Sequence, residues 1–79
     1  VDIAPAPDGS AVYALFFGSK EIYRFPTAFN GILKDGVKAR DVTAAIPVSL
    51  CITGDGEFLY VGDGIGAVEM FERNANGSL

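Results

Sequence analysis

Apolar residues in this chain come in short runs, and each run is closed by a turn dipeptide. "AVYALFF" (11–17) is almost wholly apolar, the pattern of a strand buried on both faces. "EIYRF" (21–25) and "AVEMFER" (67–73) alternate, as half-exposed strands do. Asp8-Gly9, Asp55-Gly56, Asn30-Gly31 and Asn76-Gly77 punctuate the runs, because Gly accepts positive φ and Asp and Asn side chains bond nearby backbone. The pattern predicts strands over 1–5, 11–17, 20–26, 48–53, 57–62 and 67–73. One more is expected within 32–43, broken at Asp35-Gly36, and a loop over 44–47. No stretch long enough for a helix carries a period of about 3.6 residues, so the chain reads as all-β.

The runs repeat. Asp8-Gly9 and Asp55-Gly56 lie 47 residues apart, as do Tyr13 and Tyr60. After the next turn the separation is 46, and it then aligns Gly18 with Gly64, Phe25 with Phe71, Asn30-Gly31 with Asn76-Gly77 and Leu33 with Leu79. A period of this size with four short strands per unit is the β-propeller pattern. The expected fold is therefore about two blades, each a four-stranded antiparallel sheet. Residues 1–47 form the first, and 48–79 form a second that stops where its fourth strand should begin. Isolated blades leave their faces uncovered, so the chain is expected to be a fragment of a six- to eight-bladed ring, completed by other blades or subunits.

Composition narrows the chemistry. Ten acidic residues against six basic ones give a net charge of −4, which removes the basic patch that nucleic acid requires. No run approaches the roughly 18 apolar residues of a membrane span. With no histidine and one cysteine, Cys–His catalysis and thiolate–imidazole zinc sites are excluded. Cys51 lies in the apolar run Val48-Ser49-Leu50-Cys51-Ile52 and reads as a buried, inert thiol.

"ITGDGEFLYVGDGIGAVEMFERNANGSL" (52–79) resembles the repeat of the lactonase-like seven-bladed propellers, the group of the propeller-type 6-phosphogluconolactonase and the carboxymuconate-lactonizing enzyme. Asp55-Gly56, Leu59-Tyr60-Val61, Val68, Phe71, Arg73 and Gly77-Ser78-Leu79 carry the likeness. The first unit matches through Pro7-Asp8-Gly9, Val12-Tyr13, Ile22, Phe25 and Gly31-Ile32-Leu33. Residues 7–42 also look like a segment of the six-bladed gluconolactonase/regucalcin group. That group's metal-binding Asp would fall at Pro47-Val48-Ser49, where there is no carboxylate. The resemblance implies a sugar-acid lactone as substrate, but its matched motifs are those of turns and blade packing.

Several residues are candidates for chemistry. Gly62-x-Gly64-x-x-Ala67 has the look of a dinucleotide loop, which needs a following helix and an acidic residue about 20 positions on. The repeat reads it instead as a turn between strands. Opening a lactone needs an oxyanion-stabilising cation and a base for water. Lys20, Arg24, Arg40 and Asp63 are available, though solvated surface accounts for each of them. Asp63, in its glycine-rich loop, and Arg24 are the ligand-binding candidates. Calcium on Asp55, Glu57 and Asp63 is the one conceivable metal reading, but D-x-D-x-D-G spacing is absent and no metal or other cofactor is expected. Asp55, like Asp8, reads as turn chemistry. Glu69 and Glu72 are expected to face solvent, and Tyr13, Tyr60, Phe16 and Phe17 to pack between blades. Asn76-Gly77-Ser78 is a glycosylation acceptor sequence that overlaps a turn. The chain is thus expected to be a binding or assembly scaffold, with lactone hydrolysis as the alternative.

Overall fold

The computed structural model describes residues 1–28 and 31–79. It is all-β, with two antiparallel sheets and no helix among the described residues. The first sheet runs in chain order: β1 (Asp2–Pro5), β2 (Ala11–Phe16), β3 (Glu21–Pro26) and β4 (Val37–Asp41). The second has three strands, β5 (Pro47–Ile52), β6 (Phe58–Asp63) and β7 (Val68–Glu72). The fourth strand of the first unit falls inside the expected 32–43. Asn30, half of one expected turn, lies outside the described residues.

The repeat holds at the level of single hydrogen bonds. The Gly9 amide donates to the Ala6 carbonyl over 2.9 Å, and the Gly56 amide to the Thr53 carbonyl over the same distance. Both glycines sit at positive φ, 76° and 75°, where a Cβ would be strained. The side chains of Asp8 and Asp55 then brace their turns, accepting from the backbone amides of Ser10 and Glu57. Later in each unit Gly31 and Gly77 share a φ of 86°, and their amides donate to Ala28 and Asn74. Strand registers follow the same rule. Leu15 opposes Ile22 in the first sheet and Gly62 opposes Val68 in the second, so the change from a 47- to a 46-residue offset falls in the β2–β3 and β6–β7 turns.

The sheets stack face to face in one sense. Side chains alternate across a strand, so each sheet has two faces. We call the face bearing Tyr13, or Tyr60 in the second sheet, the front. The opposite face, bearing Ala14 or Val61, is the back. The core lies between the front of the first sheet (Ala4, Ala11, Tyr13, Leu15, Ile22) and the back of the second (Leu50, Leu59, Val61, Phe71). Tyr13, Leu15, Ile22, Leu59 and Val61 are fully buried there. The apolar run of β2 follows from this position: Ala14, on the back, is buried as well as Tyr13 and Leu15 on the front. Along β1 the Asp2 carboxylate accepts from the Leu50 amide over 2.8 Å and holds β5 beside it.

Cys51 is exposed, contrary to the sequence expectation. It opposes Tyr60 and so lies on the front of the second sheet, which no other layer covers. The apolar run marks a strand, not a strand buried on both sides.

Candidate functional site

The densest polar arrangement is at the rim of the inter-sheet contact. The buried Tyr13 hydroxyl donates to the Gly77 carbonyl over 2.6 Å and accepts from Arg73 Nε over 3.0 Å. Arg73 spreads its remaining donors over the Gly56 carbonyl (3.2 Å), Ser10 Oγ (2.9 Å) and Asp8 Oδ2 (3.5 Å). Its guanidinium carbon stands 5.7 Å from the centroid of the Tyr13 ring. Burial disfavours the charge on Arg73, but the Tyr13 hydroxyl and the Asp8 carboxylate outweigh it and raise the pKa further above its ordinary value. The planar fork of arginine suits this task, since it reaches both turns and the tyrosine at once. The result is a latch between two repeat units, with four of the five guanidinium N–H groups bonded to protein partners.

Arg24 belongs to the same contact. It opposes Tyr13 across β2–β3, and its stem and guanidinium lie along Gly77, with Cδ 2.8 Å from where a Cβ would stand. Its side chain makes no hydrogen bond or ion pair among the described residues. Arg40 also reaches the second sheet: its guanidinium carbon is 5.3 Å from the Phe71 ring centroid, and Nη1 donates to the Leu79 carbonyl. Arg24 is half-buried, so solvated surface does not describe it; Arg40 is exposed, as expected, while its guanidinium lies over Phe71. Lys20 adopts a positive φ of 56° in the β2–β3 turn, and its carbonyl accepts from the Val42 amide.

Asp63 ends β6 and is spent on its own loop. One carboxylate oxygen accepts from the Ile65 amide over 2.8 Å, and the other lies 3.5 Å from the Ile46 amide. No hydrogen bond or ion pair joins it to Arg24. The loop itself is a hairpin turn. The Asp63 amide donates to the Ala67 carbonyl, Gly66 takes a φ of 98°, and β7 follows where a nucleotide loop would need a helix.

The remaining acidic residues also have local work. Asp55 accepts from Thr53 Oγ1 over 2.6 Å and from the Glu57 amide, and these bonds lower its pKa. Glu72 is exposed as expected, but Glu69 is not free: it accepts from the amide and hydroxyl of Thr43 and the amide of Ala44. It thereby ties the segment between the sheets to β7. Asn76 turns its side-chain oxygen onto the Ser78 amide and hydroxyl, an Asx turn that accounts for Asn-Gly-Ser without a sugar. Among the described residues no group of three or more Cys, Asp or Glu side chains is placed to hold a metal, and no helix is long and apolar enough to cross a membrane.

Two open clefts lie among the described residues: one of about 280 Å³ is lined by Glu57, Phe58, Glu72 and Arg73, and the other is on the back of the first sheet. It measures about 380 Å³ and is lined by Phe16, Ser19, Glu21, Tyr23, Phe25 and Gly36. Phe16 and Tyr23 meet edge to face there, with ring centroids 5.5 Å apart. Of the four aromatics expected in packing, only Tyr13 is inside the core. The role of Arg73 was carried in the sequence by one departure from the repeat: Thr27 occupies the equivalent place in the first unit.

No family model, curated protein or solved structure matches this chain.

Proposed function

We propose that this chain is a two-unit segment of a β-propeller that serves as a binding or assembly scaffold of the lactonase-like kind. The observation that carries the reading is the stacking of two equivalent sheets in the same sense, the front of one on the back of the next. Blades of a propeller follow one another in that way around a central axis. The likeness of residues 52–79 to the lactonase-like repeat adds the family. Residues 1–47 and 48–79 are then a first blade and an incomplete second one, and the rest of a six- to eight-bladed ring comes from further blades or subunits.

The scaffold reading is preferred to hydrolysis of a sugar-acid lactone. A hydrolase needs a cation and a base converging on one open space. Here Arg24 and Arg40 are laid along the inter-sheet contact and Asp63 caps its own turn; Arg73 shares an open cleft with Glu57 and Glu72, but its guanidinium is held by Tyr13, Ser10 and the Gly56 carbonyl.

The mass of the native protein tests the ring: roughly 35–40 kDa corresponds to a single chain of seven or so blades. An assay of the native protein with gluconolactone and 6-phosphogluconolactone, with and without calcium, tests the chemistry. No turnover is expected. Turnover that is lost in Asp63→Asn or Arg24→Gln would replace the scaffold reading with the enzymatic one.

A further inference from the structure

We infer that Asn76 is a site of spontaneous deamidation, held in check by the Tyr13–Gly77 contact, and that its isoaspartyl product releases that contact. The inference rests on the turn and the latch alone and stands apart from the ring reading.

The fold imposes the vulnerable pair. Gly77 has a φ of 86°, and Arg24 Cδ occupies the space that a Cβ would need, so glycine is the residue that suits the place. A residue without a Cβ also leaves its amide nitrogen open to the preceding side chain. Asn76 is exposed, and its side-chain oxygen accepts from the Ser78 amide over 3.1 Å and from the Ser78 hydroxyl over 2.7 Å. Both bonds polarise the side-chain carbonyl and stabilise the oxyanion that forms when Cγ is attacked.

In the reaction the Gly77 nitrogen loses its proton to water and bonds to Asn76 Cγ. The Cγ–Nδ2 bond breaks, and Nδ2 leaves as ammonia with a proton from water. Water then opens the cyclic imide. Opening at Cγ gives aspartate; opening at the Asn76 backbone carbonyl gives isoaspartate, with one extra carbon in the main chain. The net exchange is one amide and one water for one carboxylate and one ammonium.

The closed turn opposes this attack. The Gly77 amide donates to the Asn74 carbonyl over 2.9 Å, and the Gly77 carbonyl accepts from the Tyr13 hydroxyl over 2.6 Å. Bringing the Gly77 nitrogen onto Cγ releases both bonds. The reaction therefore runs through local opening of the turn, and its rate follows that opening equilibrium.

The chain carries its own picture of the aspartyl product. In Asp8-Gly9-Ser10 the glycine has a φ of 76° and its amide donates to the Ala6 carbonyl. Asp8 Oδ1 accepts from the Ser10 amide over 2.9 Å and from the Ser10 hydroxyl over 2.7 Å, the same two bonds that Asn76 accepts. Aspartate at position 76 thus preserves the turn. Isoaspartate does not, because its extra carbon lies directly before Gly77 and displaces the carbonyl that Tyr13 holds.

Peptide mapping of the aged protein tests this. The native protein is held for weeks in mildly alkaline buffer, folded or in urea, and digested with trypsin. Cleavage after Lys34 and Arg73 puts Asn30 and Asn76 in separate peptides, and an isoaspartyl methyltransferase labels isoaspartate. Slow conversion of Asn76 is expected in the folded protein, and faster conversion in urea. Tyr13→Phe is expected to raise the folded-state rate at Asn76 about three- to tenfold and to leave that at Asn30 unchanged. Circular dichroism confirms folding; Arg24→Ala, which removes the stem packed on Gly77, replaces Tyr13→Phe if that variant fails it. A rise shared equally by Asn30 comes from global unfolding and overturns the gate, as does an unchanged rate at Asn76. An Asn76 that stays intact in the folded protein while the chain in urea converts overturns the site. The products give a second readout. Asn76→Asp is expected to melt with wild type, whereas the isolated isoaspartyl form should lose as much melting temperature as Tyr13→Phe. An isoaspartyl form that melts with wild type overturns the release of the latch.

Discussion

Tyr13 donates its hydroxyl hydrogen to the carbonyl of Gly77 over 2.6 Å, across 64 positions of the chain. The same oxygen accepts from Arg73, so one buried atom joins the two sheets twice. Tyr13→Phe keeps the ring and removes both bonds, leaving a carbonyl and a guanidinium N–H without that partner. A loss of about 1–3 kcal/mol in urea unfolding is expected. Arg73→Met costs a similar amount, and the double variant should cost less than the two singles added together, because both remove one shared bond. Strict additivity would show that the two side chains act independently.

Gly77 and Gly31 have the same φ but different surroundings. A Cβ on Gly77 would meet Arg24 Cδ at 2.8 Å, whereas none of the described residues stands within 4 Å of one on Gly31. Gly31→Ala is therefore expected to cost only the left-handed backbone, about 1–2 kcal/mol. Gly77→Ala must also displace Arg24 from the sheet contact, so its melting temperature should be the lower of the two. Equal melting temperatures would mean that Arg24 yields without cost.

Acid should loosen the repeat turns. Hydrogen bonds from the Ser10 hydroxyl and amide hold the Asp8 carboxyl below its ordinary value near 3.8, and Thr53 and Glu57 do the same for Asp55. A carboxyl with a depressed folded pKa contributes stability above its unfolded value and loses it as pH falls through the folded one. The melting temperature is expected to fall as pH drops from about 4 downward. Asp8→Asn with Asp55→Asn should flatten that fall, as read by thermal denaturation across pH.

Asp63 has a structural duty that a ligand site would not need. Asp63→Ala removes the acceptor for the Ile65 amide, and a loss of about 1 kcal/mol is expected. Asp63→Asn keeps an oxygen in place and should recover most of it. Equal losses for both would show that the charge itself matters.

The strands and turns were legible because each rests on a local rule. Asp8-Gly9 and Asp55-Gly56 announce the same turn, and the structure gives them the same bonds. The faces were less legible. Cys51 sits among apolar neighbours, yet whether a face is covered depends on what lies above the strand, which the strand's own sequence does not encode. Arg24 looked like a solvated cation because neither the arginine nor its neighbours in sequence reveal that Gly77 lies beneath it. Arg73 could have been singled out by contrast: a repeat that places Thr27 in one unit and Arg73 in the next has given the second position a separate task.

The distance between Tyr13 and its acceptor has a consequence for synthesis. Every strand pair of the first sheet is formed from residues up to Asp41. The apolar face of Tyr13, Leu15 and Ile22 is sealed only when Phe71 and Gly77 have left the ribosome. During that interval the nascent chain presents a finished sheet with its stickiest side bare. A chaperone that recognises the chain should therefore bind in this window, and release it when the Gly77 turn arrives.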